Sequence, residues 1–335
     1  MRASILLFLL GCSVAAATDC SNCTLIVLGN NTMVSVWKNM HYREKYLDLV
    51  THGMVDDRNK YAIVYFAWMF GAYHAKRYRA AFDLVPPRYH KNFLWMANSP
   101  TELALLRQTF PDSNVLYSPF NALLNEFTFV LPEAATPRNL TEPLCLINSQ
   151  GQLWKNHALS KNIPRKVFVT YNVDPALNLS SLDPLEVLDS IDHIGLAAQL
   201  ARADYGAILS TEEGNCRASH EYLMSGLPVL STYSVGGREV FYDDDNSVLC
   251  APTLEGVTEG HARMKQLLLR VNRTQIRERA MDKVVGFRND LVDVVQGWLN
   301  RAGAYGSASD LLMRGVYDGR YAETFLNAWV ETRLH

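Results

Sequence analysis

The chain has 335 residues, 48% hydrophobic and 20% charged, with a formal net charge of −2. That composition is globular and excludes a disordered or fibrous chain. The near-neutral balance gives no footprint for a polyanion such as nucleic acid, and no interior run approaches the roughly 20 apolar residues that span a bilayer.

The N-terminus comes first. Arg2 precedes the apolar run ILLFLLGCSVAAA, whose terminal alanines suit signal peptidase, and polar residues follow. Residues 1–17 therefore read as a secretory signal peptide, with an uncleaved anchor as the alternative. Sequons at Asn22, Asn30, Asn139, Asn178 and Asn272 fit passage through an oxidising lumen. The expected location is the secretory-pathway lumen (ER or Golgi) or the exterior. Cys20, Cys23, Cys145, Cys216 and Cys250 remain after cleavage. Their odd number leaves at least one thiol free or paired between chains. The Cys20-x-x-Cys23 spacing lacks a preceding strand, so it reads as a surface disulfide or two separate thiols rather than a redox motif. No second ligand pair stands at zinc-like spacing.

Short apolar runs then recur. Residues 25–28, 61–66, 93–96 and 114–117 are predicted strands, and 101–110 a helix after Ser99-Pro100. Gly29-Asn30-Asn31 follows the first strand and is expected at the ligand edge, where a glycan on Asn30 would crowd the opening. Residues 132–143, rich in Pro, Thr and Ala, read as a linker. Beyond it, runs at 144–147, 166–170, 206–209, 228–231 and 248–250 alternate with helical patterns at 193–204, 217–226 and 259–271. Runs apolar on both faces, separated by helices, argue a parallel sheet and an α/β architecture. This divides the chain into an N-terminal domain over 18–135, a C-terminal domain over 136–310, and an amphipathic helix over 311–335 packing back toward the first domain.

The densest pattern is STEEGNCRASHEYLMSGLPVLSTYSVGG, from Ser210 to Gly237. It starts at the carboxyl end of a buried strand, the edge where open α/β sheets bind ligands. Gly214 permits a tight turn, and a helix is expected from about Asn215, with the amides of Cys216 to Ala218 facing the opening. Such a helix terminus is an anion site. Glu221 falls one helical turn beyond Arg217. Gly226-Leu227-Pro228 returns the chain to the next strand, which ends near Gly236 and Gly237, a pair able to turn amides toward a phosphate. Taken singly, Glu213 and Glu221 are ordinary surface acids; their ordered setting points to a ligand site.

Ser210-x-x-Glu213-Gly214, Glu221, Gly226-x-Pro228-Val229, Gly236-Gly237-x-Glu239 and DNSVLCAP resemble the donor-binding half of retaining GT-B glycosyltransferases of the group 1 type. The match covers about residues 193–252. A weaker match at 144–161 puts Lys155 at the family's lysine and Gln150 where the family has arginine. Arg217 is the candidate replacement for that charge. The resemblance implies two Rossmann-like domains facing a cleft, the N-terminal one reduced. It implies a hexosyltransferase that uses a UDP- or GDP-linked sugar as co-substrate, with no cofactor and no bound metal, on an unknown glycan, protein or lipid acceptor. Glu221 would hold the ribose. Glu213 would face the sugar. Lys155, with amides near Asn215, Cys216 and Gly237, would hold the leaving diphosphate.

Other features carry less. Asp243-Asp244-Asp245 contains a D-x-D pattern and reads as a solvated turn. His41, His52, His74 and His90 are candidate bases or structural residues. The rival function is a non-catalytic lumenal protein that binds carbohydrate or nucleotide on the same fold. A dinucleotide enzyme is disfavoured, because no G-x-G-x-x-G opens a helix after a strand.

Overall fold

A computed structural model describes residues 23–28, 32–38, 60–66, 70–123, 141–214, 216–301 and 307–308. The expected signal peptide, Cys20, the sequons at Asn22, Asn30 and Asn139, His41, His52, Asn215, most of the linker and the 311–335 helix lie outside them. The chain forms two compact units, residues 1–125 with 286–335, and residues 126–285.

In the first unit, β1 (Cys23–Leu28) pairs antiparallel with β2 (Thr32–Lys38). Then β2, β3 (Lys60–Tyr65), β4 (Phe93–Ala97) and β5 (Asn114–Tyr117) run parallel, in the order β1-β2-β3-β4-β5. The expectation for Gly29-Asn30-Asn31 falls on residues outside those described. Strand β4 is buried along its whole length, as a central parallel strand must be. Its Trp95 stacks on Phe110 at 3.8 Å, and Phe82 meets both rings edge-on. Such offset and edge-to-face contacts add about 0.5–1.5 kcal/mol each beyond area burial.

Helix α1 spans Ala72–Phe82 and α2 spans Pro100–Thr109. Ser99 caps α2 by accepting from Glu102 N at 3.1 Å, and Pro100 fills the first turn, where no N–H is needed. The buried Glu102 carboxylate accepts from Phe70 N and Asn98 N, both at 2.7 Å. It thereby staples the segments that follow β3 and β4. Burial holds this carboxyl above its ordinary range, against those two hydrogen bonds. His90 is buried and bonds Val85 O at 2.9 Å in the turn before β4, so it is structural. His74 Nδ1 accepts from Gly71 N at 3.3 Å.

The second unit is a six-stranded parallel sheet. Its strands are β6 (Cys145–Asn148), β7 (Lys166–Thr170), β8 (Glu186–Asp189), β9 (Tyr205–Ile208), β10 (Val229–Thr232) and β11 (Ser247–Cys250). Helices α3 (His193–Arg202), α4 (Arg217–Met224), α5 (Leu254–Leu268) and the start of α6 (Arg273–Arg301) join or flank them. The inner strands β7, β9 and β10 are buried throughout, and the edge strands β8 and β11 alternate. Asp192 and Thr253 cap α3 and α5 through their side chains. The cap at Thr253 starts α5 five residues before the expected 259. Helix α6 was not anticipated. Its buried stripe includes Ile276, Ala280 and Val284 in the second unit and Leu291, Val295 and Trp298 in the first, where Trp298 stacks on Tyr61 at 4.6 Å.

Cys145, Cys216 and Cys250 are buried thiols, and burial pushes them up to about 12, 12 and 11. Thiols held protonated in this way are poor nucleophiles. Among the described residues, no helix is long and apolar enough to cross a membrane.

Glu102→Ala leaves two buried amides without their acceptor. It should destabilise the protein by about 2–4 kcal/mol in denaturant unfolding, with Glu102→Gln losing less.

Candidate active site

Read from β8, the strand order is β8-β7-β6-β9-β10-β11. The chain builds outward from β6 on one side, then crosses back to build outward from β9 on the other. Loops leaving the carboxyl ends of β6 and β9 diverge, and open a crevice between them. Lys155, Ser210 and Glu213 sit at this switch point.

From β6, Ser149–Gly151 lead into a short 3-10 turn, Leu153–Lys155. The loop is tied on both sides. Gly151 N donates to Tyr171 O beyond β7 at 2.9 Å, and Asn156 Nδ2 donates to Leu209 O beyond β9 at 3.2 Å. Asn156 takes a left-handed conformation, φ 56°, which ends the turn. Lys155 is thereby delivered to Glu213, with Nζ 2.5 Å from Oε1 and 4.1 Å from the centre of the Trp154 ring. Both charged side chains are largely buried, 13% and 5% exposed.

From β9, Ser210 follows Leu209 and donates its hydroxyl proton to the same Glu213 Oε1 at 2.7 Å. Glu213 N donates to Val235 O, and Val235 N donates to Thr211 O, both at 3.1 Å. These bonds join the loops after β9 and β10. Gly236 (φ 120°) and Gly237 (φ 97°) both lie in backbone conformations that a side chain would strain. Arg238 follows them and turns inward. Gly214 and Cys216 are buried, and Cys216 is the N-cap of α4, whose first residue is Arg217.

Glu221 lies on α4, buried, and accepts from Asn148 Nδ2 at the end of β6 at 2.7 Å. Burial pushes its carboxyl up to about 7, opposed by the Arg217 charge and the Asn148 bond. Its neighbour Tyr222 carries the helix onto the sheet. The Tyr222 hydroxyl donates to Leu146 O at 3.0 Å and accepts from Asn148 N at 2.7 Å. To reach β6 the ring passes over Gly206 of β9, where an added Cβ would lie 2.3 Å from the ring. A glycine inside a buried strand was the sequence signal for this approach.

Asn148, Tyr222, Thr232 and Arg238 escaped the sequence reading. Gln150 is half-buried, and its carbonyl accepts from His157 Nε2 at 3.0 Å. Burial lowers His157, so its neutral form is favoured. Asp245 is engaged by Arg270 at 3.1 Å and by Arg279 at 2.7 Å, and Asp243 by Arg279 at 3.7 Å. The D-x-D turn is thus already salt-bridged. Among the described residues, no group of three or more His, Cys, Asp and Glu is placed to hold a metal ion.

No protein-family profile matches the chain, and no curated protein matches it. Solved structures do. HepE from Anabaena, solved in complex with UDP, shares 14% identity over 76% of each chain, with a TM-score of 0.56. A glycosyltransferase from Rickettsia africae shares 14% over 77% of this chain and 73% of its own, with a TM-score of 0.55. Sucrose-phosphate synthase from Thermosynechococcus elongatus shares 17% over 79% of this chain and 72% of its own, with a TM-score of 0.52. At such identities the likeness is one of fold. The protein therefore has the α/β fold of GT-B glycosyltransferases, with two Rossmann-like units.

Two outcomes test the packing of this site. Gly206→Ala should lower stability by about 1–3 kcal/mol in chemical denaturation, because the Tyr222 ring must move off β9. The second concerns Glu221. The folded protein keeps its proton up to about pH 7, while the ordinary value is 4.5. Between those pH values the folded state binds more protons, so stability falls as pH rises. Glu221→Gln removes that loss. It should be more stable than wild type by on the order of 2–3 kcal/mol at pH 8, with the gap closing by pH 4.

Proposed function

We propose that the protein is a retaining, metal-independent glycosyltransferase of the group 1 type that uses a UDP- or GDP-linked sugar. The observation that carries this reading is the meeting of Lys155, Ser210 and Glu213 at the switch point, with Glu221 held at the end of β6. A buried ion pair is a poor stabilising device, because desolvation offsets most of its attraction. Its place at the ligand edge is better explained by function.

In this reading Glu221 accepts hydrogen bonds from the vicinal hydroxyls of the ribose. Lys155 and the amides around Cys216 and Gly237 face the diphosphate. The bond from the anomeric carbon to the diphosphate breaks, and its electron pair leaves with the phosphate. The acceptor hydroxyl oxygen forms the new bond on the same face, and its proton passes to the departing phosphate oxygen. Glu213 orients the sugar hydroxyls and opposes the positive charge that develops at the ring. Preorganised charges of this kind act where charge grows in the transition state.

One observation favours the second reading, a non-catalytic binding protein: Gln150 stands where the resemblance expects an arginine. The secretory location, the cleaved leader and glycosylation also belong to the proposal. Asn178 and Asn272 are exposed, and each uses its side-chain oxygen to accept a backbone N–H.

The test is slow donor hydrolysis across a panel of UDP- and GDP-sugars. One donor should release sugar with its anomeric configuration kept, and EDTA should leave the rate unchanged. Glu213→Ala should abolish turnover with the far-UV circular dichroism intact, and Lys155→Met should lower the rate by about 100-fold. Nucleotide binding without sugar release would favour the binding protein. Absence of thermal protection by any nucleotide would defeat both readings.

A further inference from the structure

We propose that Arg238 is a positioning residue for Glu213, acting through Ser210. It would supply from beneath the site charge support that Gln150 does not supply. The inference rests on reading Glu213 as the carboxylate that faces the donor sugar.

Arg238 opens a 3-10 turn behind Gly237, and its side chain is 0% exposed. The guanidinium therefore touches no ligand itself. Instead it spans two strand ends. One nitrogen donates to Ser210 Oγ at 2.9 Å, beyond β9. The other donates to Ser210 O at 2.9 Å, and to Thr232 O at 2.6 Å and Thr232 Oγ1 at 3.2 Å, at the end of β10. Thr232 Oγ1 closes the ring by donating to Ser210 O at 2.8 Å. Only a planar fork of donors reaches these acceptors together; a lysine has one nitrogen to place.

The consequence lies in the direction of one proton. A hydroxyl carries a single hydrogen. Because Ser210 Oγ accepts from Arg238, that hydrogen is directed to Glu213 Oε1. Lys155 binds the same oxygen, so neither bond uses Oε2. The carboxylate is thus fixed by one edge between two donors. Among the described residues, the acid paired with Arg238 is Glu239, at 3.8 Å from Nε. Desolvating a guanidinium for carbonyl contacts and one long ion pair is costly as architecture alone. Transmission to Glu213 gives that burial a purpose.

The experiment uses the full chain and the donor sugar that the wild type hydrolyses fastest. Folded sites are counted by nucleotide-binding stoichiometry, so that misfolding is not mistaken for lost activity. Ser210→Ala removes only the hydroxyl link, and Arg238→Met removes the fork. Each should lower kcat per folded site by about 10- to 100-fold while donor KM stays within about threefold. The double variant should be no worse than about twofold below the weaker single, because both act on one path. Arg238→Lys should recover less than a tenth of wild-type kcat. If kcat per folded site survives in Ser210→Ala, or the two losses multiply, the role of Arg238 is overturned while the glycosyltransferase reading stands. If the wild type releases no sugar from any donor, both fall.

Discussion

The 2.5 Å contact between Lys155 and Glu213 sets the terms for the rest of the second unit. Two opposite charges are taken largely out of water, and neither can be left with one partner. The surrounding structure answers that demand. Ser210 adds a donor to Glu213, and the Trp154 ring lies beside the Lys155 ammonium. The loops that carry the pair leave different strands, so they must be tied to each other. Asn156 reaches Leu209 across the crevice, and Val235 is paired to the Glu213 loop. The sheet order makes this possible, since only β6 and β9 are neighbours whose outgoing chains diverge.

Much of the second unit was legible because its strands are buried on both faces. β7, β9 and β10 read as short apolar runs, and they are. The edge strand β8, Glu-Val-Leu-Asp, alternates in burial and carries two acids, so it gave no apolar run to find. β2, Thr32–Lys38, interleaves polar with apolar residues, so it gave no continuous apolar run to find. Helix α6 has a clear stripe from Ile276 to Trp298, but charged residues crowd the positions between. Ser210, Glu213 and Glu221 stood out through their order along the chain, and Lys155 through the family resemblance. Arg238 did not. A charged residue after two glycines looks like a solvated loop, and only the tertiary fold shows that it turns inward. Tyr222 was equally opaque, since its partner strand lies more than 70 residues earlier.

Cations around the site divide by depth. Lys155 stands at the ligand edge. Arg217, half-buried on the first turn of α4, acts on Glu221. Arg238 is fully interior and grips strand ends. Arg270 and Arg279 are committed to the acidic turn after the glycine pair. This partition explains how the second unit keeps separate electrostatic settings for two buried carboxylates close together in sequence.

The three enclosed thiols carry a consequence for biogenesis. Once the sheet has closed over Cys145, Cys216 and Cys250, oxidants and isomerases have no route to them. Before closure, all three are open to wrong pairings wherever the surroundings are oxidising. The hazard is therefore confined to the nascent chain, and the speed at which the sheet seals itself decides how much polypeptide escapes mispaired traps.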